Sequence, residues 1–117
     1  MKLKIKITKD VLERSMYCGV KNSGKNIIEN CAIAVAVRDI FPHAIVTGNC
    51  IYPFYKDYRI SIYHHQNNFI ANFDALRGEP LKRLNLTPFD FEIDLPDEAI
   101  EKININDIYQ SETLELV

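Results

Sequence analysis

Two segments of the chain alternate strictly between apolar and polar positions. In Lys2–Thr8 the aliphatic residues share one face and lysines occupy the other, and Phe89–Leu95 alternates apolar residues with acids in the same way. Strict alternation is typical of a strand with one buried face. Thr8 follows the first strand, and its hydroxyl is suited to capping a helix over Lys9–Met16. The pattern therefore predicts two half-buried strands and one capped helix.

The segment Asn30–Pro42 has a different pattern, because Cys31–Val37 carries no polar side chain. Asn30 is suited to capping a helix there and Pro42 to stopping it, although a start at Ile27 fits as well. A helix without a polar face must be buried on all sides. The segment predicts a small domain built around one central helix and completed by another subunit.

Shorter patterns fill the rest of the chain. They predict, in order, one strand over Ala44–Val46 and Cys50–Tyr52 with a turn or bulge at Gly48-Asn49, a strand over Arg59–Tyr63, a helix over Asn67–Ala75, a loop over Leu76–Pro88, a helix from Pro96 to Ile103 and an extended or irregular arm over Asn104–Val117. This order predicts an α+β fold with a mainly antiparallel sheet packed on the central apolar helix. The length suits a small single domain over residues 1–117.

Composition favours a soluble intracellular protein. The formal net charge of −2, from 14 basic and 16 acidic residues, argues against a nucleic-acid groove that depends on a positive field. No apolar run approaches the roughly 20 residues that span a bilayer. Three cysteines at irregular spacing suit reduced thiols. We therefore expect a cytoplasmic protein with neither DNA nor a membrane as a partner.

Cysteine and histidine supply the candidate chemistry for metal binding and catalysis. The three cysteines and three histidines have the chemistry of zinc ligands, but the chain has no Cys-x-x-Cys motif, and Cys31 lies on the apolar helix. Cys18 is a candidate nucleophile with a histidine as its base, yet no motif of a cysteine enzyme surrounds it. We therefore expect no catalytic residues, no metal and no cofactor.

Aromatic and basic residues cluster in two loops. The first loop contains Tyr52, Phe54, Tyr55, Tyr58 and Arg59, and the second contains Arg77, Lys82 and Arg83. Aromatic faces stack on bases and guanidinium groups bind phosphate, so the pattern suits a nucleotide or a cyclic dinucleotide. The alternative is that the tyrosines cover an oligomer interface and the arginines are surface charges. Amides near Gly24 and Asn30 offer a further anion site, unless Asn30 is only a cap.

Several motifs together resemble a known family. They are Leu3–Lys9, Ser15–Gly19, the apolar helix Asn30–Pro42, Phe69–Asp74 and Pro88–Pro96. Their combination resembles the first family of Thoeris anti-defence proteins, which are small phage-encoded sponges. The resemblance extends over nearly the whole chain.

The resemblance implies a specific function. Such proteins bind the glyco-cyclic ADP-ribose signals of bacterial TIR-domain enzymes without degrading them, and the Thoeris effector of the bacterial host then stays inactive. Some members also bind cyclic trinucleotides of CBASS immunity at a separate site, and the family forms dimers or hexamers built from dimers. The closest matches to the family's ligand-binding residues are Phe54, Arg59, Arg77 and Arg83, with Met16 and Cys18 in a turn that forms a wall. Asn30 and Phe89 complete the set of ligand-binding residues that we expect. Two other hypotheses are a small nucleotide-processing enzyme and a protein-binding inhibitor or interaction module.

Overall fold

The computed structural model describes residues 1–18, 32–47, 50–54 and 57–117, and within the helix over 63–75 it describes the side chains from residue 68 onward. These residues form an α+β fold in a single domain with two three-stranded antiparallel sheets and several helices. The predicted fold class is confirmed. The prediction of one sheet is wrong, because the strands divide into two separate sheets.

The first sheet is built around β1 (Lys2–Ile7), which lies between β5 (Phe89–Asp94) and β6 (Leu114–Leu116). Both neighbours run antiparallel to β1. The aliphatic side chains of β1 are buried, and its lysines lie on the other face, opposite acidic residues of β5. On that face the ammonium of Lys6 is 2.9 Å from the Glu115 carboxylate. The alternation predicted for both long strands is confirmed.

The first helix, α1 (Lys9–Ser15), begins where the sequence predicts. The Thr8 hydroxyl accepts a hydrogen bond from the Val11 amide at 3.2 Å, so it caps the helix. At the other end the Ser15 hydroxyl donates to the Val11 carbonyl at 2.7 Å and is itself buried. The chain then turns through Met16 and Cys18, both of which are half-buried.

The second sheet contains β2 (Ile45–Val46), β3 (Cys50–Tyr52) and β4 (Ile60–Ser61) in that order. β2 and β3 pair antiparallel, with Val46 opposite Ile51, so the single strand predicted over this segment is in fact two strands. The chain reverses between them, as the turn alternative predicted, although residues 48 and 49 lie outside the described residues. β4 is shorter than predicted because α3 (Tyr63–Ala75) begins directly after Ile62.

The apolar helix α2 (Ala32–Val37) lies between the two sheets, where it packs against α1, β1 and β2. Burial is confirmed for five of its six residues, and Val35 is half-buried. The helix ends well before Pro42, because the chain turns at Arg38, whose Nε donates to the Ala44 carbonyl at 3.1 Å. The predicted helix over 30–42 is therefore too long at this end. Residues 30 and 31 lie outside the described residues.

The loop predicted over Leu76–Pro88 is wrong, since it contains a 3₁₀ helix over Pro80–Asn85. Pro80 opens this helix, a position at which its missing amide hydrogen costs nothing. Arg83, in the same helix, is fully buried. The polar, basic composition of the segment therefore does not reveal that one of its arginines is buried.

The extended or irregular arm predicted over Asn104–Val117 is wrong for its first half, which forms a helix, whereas its end is extended as predicted. After α4 (Asp97–Ile100), which stops short of the predicted end at Ile103, the chain forms α5 (Ile105–Gln110) and then β6. The Asn104 side chain caps α5 by accepting from the Asn106 amide at 3.0 Å. No helix in the described ranges is long and apolar enough to cross a membrane.

Candidate ligand-binding site

The loop region after β3 brings two aromatic rings and a carboxylate together. Phe54 and Asp57 form an isolated antiparallel bridge through their backbones. The next residue, Tyr58, has a φ of 59°. A bulky side chain rarely adopts this left-handed conformation, so the surrounding structure must hold it there.

The two rings of this loop continue an aromatic row that begins in the core. Phe41 is only 1% exposed, and its ring meets Phe54 edge-on with centroids 5.4 Å apart. Phe54 meets Tyr58 edge-on at 5.7 Å. These separations lie in the favourable range for edge-to-face pairs. A ring on the surface loop is thereby fixed by a ring in the core.

A cation from a distant part of the chain lies over this row. The ammonium of Lys102 is 5.5 Å from the Phe54 ring centroid and 5.2 Å from that of Tyr58. Both distances allow cation–π attraction. The same ammonium is 3.8 Å from a carboxylate oxygen of Asp57. Phe54, Asp57 and Tyr58 therefore all contact the ammonium of one half-exposed lysine.

Beside these residues is a mainly apolar cavity of about 340 Å³, which we call the Phe54 cavity. Its walls are Ile40, Phe41, Pro42, His43, Pro53, Phe54, Lys102 and Ile103. Ligand sites are typically concave and largely apolar with a few polar groups. The cavity suits a flat apolar group inside, with an anionic group reaching Lys102.

Arg83 is the centre of a second group, the Arg83 cluster, formed with Met16, Cys18, Phe73 and Asp74. Its Nε donates to the Phe73 carbonyl at 2.9 Å, and its Nη1 donates to the carbonyls of Met16 and Cys18 at 2.8 and 2.7 Å. The guanidinium carbon lies 3.8 Å from the Phe73 ring centroid. Arg83 therefore ties the turn after α1 to the end of α3.

Burial perturbs the polar groups of the Arg83 cluster. Burial lowers the pKa of Arg83, although Asp74 counteracts this effect, and burial raises the pKa of the Asp74 carboxyl. The buried Nη2 of Arg83 has no hydrogen-bond partner among the described residues. The side chain is completely buried, so a ligand does not reach it in this conformation. Its observed contacts are structural.

Arg77 and Arg59 are exposed, and each makes a local contact. The Nε of Arg77 donates weakly to the Asp74 carbonyl at 3.4 Å, beside the Arg83 cluster. The Nε of Arg59 donates to the Cys50 thiol at 3.1 Å, and this hydrogen bond raises the pKa of Arg59. Neither arginine is among the residues lining the Phe54 cavity.

Phe89 lies in a separate aromatic group. Its ring centroid is 4.8 Å from that of Phe69 and 5.9 Å from that of Phe91, and Phe69 in turn contacts Phe73 at 5.9 Å. Through Phe73 this group is continuous with the Arg83 cluster. Phe89 is half-buried at the edge of an open cleft that also contains lysines.

The residues predicted as one ligand site thus fall into different places. Met16, Cys18 and Arg83 are joined by hydrogen bonds, Arg77 lies beside them, and Phe89 connects to them through rings. Phe54 belongs to the cavity instead, and Asn30 lies outside the described residues. Sequence reasoning missed Lys102, which stands in an ordinary charged stretch without any local signal.

Neither metal ligation nor similarity to known proteins adds to this description. Among the side chains that the structure describes, those of residues 1–18, 32–47, 50–54, 57–62 and 68–117, no group of three or more His, Cys, Asp or Glu is arranged to hold a metal ion. No protein-family model, no curated protein and no solved structure matches this chain. The candidate site therefore rests on geometry.

Proposed function

We propose that the protein binds and sequesters a cyclic ADP-ribose signal, such as glyco-cyclic ADP-ribose, without degrading it. In the host cytoplasm this would keep the Thoeris effector inactive. The observation that carries the proposal is the Phe54 cavity, in which an apolar space with aromatic walls lies beside the ammonium of Lys102. The motif resemblance supports the same ligand class.

The chemistry of the cavity matches two parts of such a ligand. A base needs an apolar slot and aromatic neighbours, which Phe41 and Phe54 provide. A phosphate needs a nearby cation, which Lys102 in the wall of the cavity provides. Stacking and ionic attraction hold a ligand without any nucleophile or general base, so we propose binding rather than turnover.

The size of the cavity bears on assembly. At about 340 Å³ it is near the lower end of the roughly 300–1,000 Å³ typical of ligand sites. A sponge that binds its ligand stoichiometrically needs a nanomolar dissociation constant, which corresponds to a binding free energy of about −12 kcal/mol. We propose that a second copy of the chain encloses the rest of the ligand, in a dimer or a hexamer built from dimers.

The test is incubation with glyco-cyclic ADP-ribose, removal of free ligand, and release by heating. We expect the wild type to return intact ligand in stoichiometric amounts. Lys102→Met should lose most of this capacity, while Lys2→Met, which removes an exposed lysine from β1, should keep it. Chemically altered ligand would show an enzyme instead, and absence of any bound ligand would refute the proposal.

A further inference from the structure

The carboxylate of Asp57 forms an ion pair with the lysine that lines the Phe54 cavity. One of its carboxylate oxygens is 3.8 Å from the Lys102 ammonium, and the same ammonium lies over the Phe54 and Tyr58 rings. Lys102 also lines the cavity. The cation that faces the cavity is therefore already partly neutralised within the protein.

We infer that Asp57 is an internal counter-ion, which the phosphate of a bound ligand displaces from Lys102. The inference rests on the proposed function and names the chemistry of its site, since the displacing group is a phosphate mono- or diester attached to a flat base. Asp57 thereby sets how strongly the site prefers a phosphorylated ligand over an uncharged one.

The geometry makes this exchange easy. The pair is long at 3.8 Å, and the side chains of Lys102 and Asp57 are 49% and 62% exposed, so both are well hydrated. Exposed ion pairs contribute little to stability, typically below about 1 kcal/mol. A phosphate placed by stacking in the cavity carries at least as much negative charge and can replace the carboxylate.

The backbone keeps the position of Asp57 independent of its charge. The bridge to Phe54 is formed by main-chain groups and does not depend on the charge of the Asp57 side chain. Asp57→Asn therefore removes the charge and leaves the loop in place. A counter-ion predicts that this variant binds phosphorylated ligands more tightly, because nothing competes with the phosphate for Lys102.

The experiment is calorimetric titration of the wild type and Asp57→Asn with three probes, namely glyco-cyclic ADP-ribose, adenosine monophosphate and adenosine. We expect Asp57→Asn to bind the two phosphorylated probes about two- to fivefold more tightly, the scale of an exposed ion pair. Affinity for adenosine should be unchanged. The gain should shrink at high salt, since exposed charges are screened.

Two controls separate this role from a general effect of charge. Asp90→Asn removes an exposed carboxylate from β5 and changes the net charge equally, so it should leave all affinities unchanged. In a Lys102→Met background, Asp57→Asn should give a smaller gain. Equal or weaker binding of the phosphorylated probes by Asp57→Asn would overturn the counter-ion role alone. A wild type that binds no probe would overturn the proposed function as well.

Discussion

Nη1 of Arg83 donates a hydrogen bond to the Cys18 carbonyl at 2.7 Å, although the two residues lie 65 positions apart. The same nitrogen reaches the Met16 carbonyl, and Nε reaches the Phe73 carbonyl. A planar fork of donors is needed to satisfy three carbonyls at once. Arg83 is therefore a structural link between the turn after α1 and the end of α3.

Replacing Arg83 should destabilise the fold. In Arg83→Met the three carbonyls lose a charged donor, and we expect a loss of about 2–4 kcal/mol in the free energy of unfolding. Arg83→Lys should also be destabilised, because a single ammonium cannot reproduce the fork. Urea denaturation followed by circular dichroism measures both.

The matched control is Arg77→Met, which removes an exposed arginine near the same cluster. It should change the free energy of unfolding by less than about 0.5 kcal/mol. If Arg83→Met were as stable as the wild type, the three hydrogen bonds would not anchor the turn.

Asp74 should make stability depend on pH. Burial raises the pKa of its carboxyl in the folded state, so the folded protein holds this proton more tightly than the unfolded chain. Its contribution is therefore fully present below the unfolded pKa of about 3.9 and is lost as pH rises through the higher folded pKa.

Asp74→Asn should consequently be more stable than the wild type at pH 7, and the difference should vanish near pH 3. Thermal unfolding across this pH range measures the effect. Asp90→Asn, at an exposed position on β5, is the control. A stability difference between Asp74→Asn and the wild type that grows toward low pH would contradict a raised pKa at Asp74.

The ring of Tyr58 should contribute to ligand binding, whereas its left-handed backbone conformation should lower the stability of the fold. Tyr58→Phe keeps the ring beside Phe54 and Lys102, so affinity for glyco-cyclic ADP-ribose should be close to that of the wild type. Tyr58→Gly removes the ring but tolerates the φ of 59°.

For Tyr58→Gly we expect weaker binding with little change in melting temperature, because relief of about 1 kcal/mol of backbone strain offsets the lost ring contacts. Calorimetric titration and thermal unfolding test the two parts separately. If Tyr58→Gly bound the ligand as tightly as the wild type, the Tyr58 ring would not be part of the binding site.

The sequence predicts best the elements whose signals are local. Alternation defines β1 and β5, and Thr8 marks the start of α1, because each pattern depends only on neighbouring residues. β6 has a short alternating pattern, and its pairing depends on the free edge of β1, which the sequence near residue 114 does not reveal.

The candidate site is harder to predict, because most of its contacts join residues that are distant in the sequence. Its aromatic members stand close together in the chain, and this clustering is what makes Phe54 recognisable. Lys102 reaches the rings only because of the tertiary fold, and Arg83 is buried although a charged side chain is normally exposed. In both cases the role of the cation depends on distant partners.

Phe41 is shared by the hydrophobic core and the wall of the Phe54 cavity. Any molecule that fills the cavity therefore contacts the folded core directly and should bind the native state in preference to the unfolded chain. Such a molecule raises the melting temperature, by an amount that grows with the logarithm of its concentration relative to its dissociation constant. Differential scanning fluorimetry of the purified protein against fractionated small-molecule extracts would thus reveal the natural ligand without prior assumptions about its chemistry.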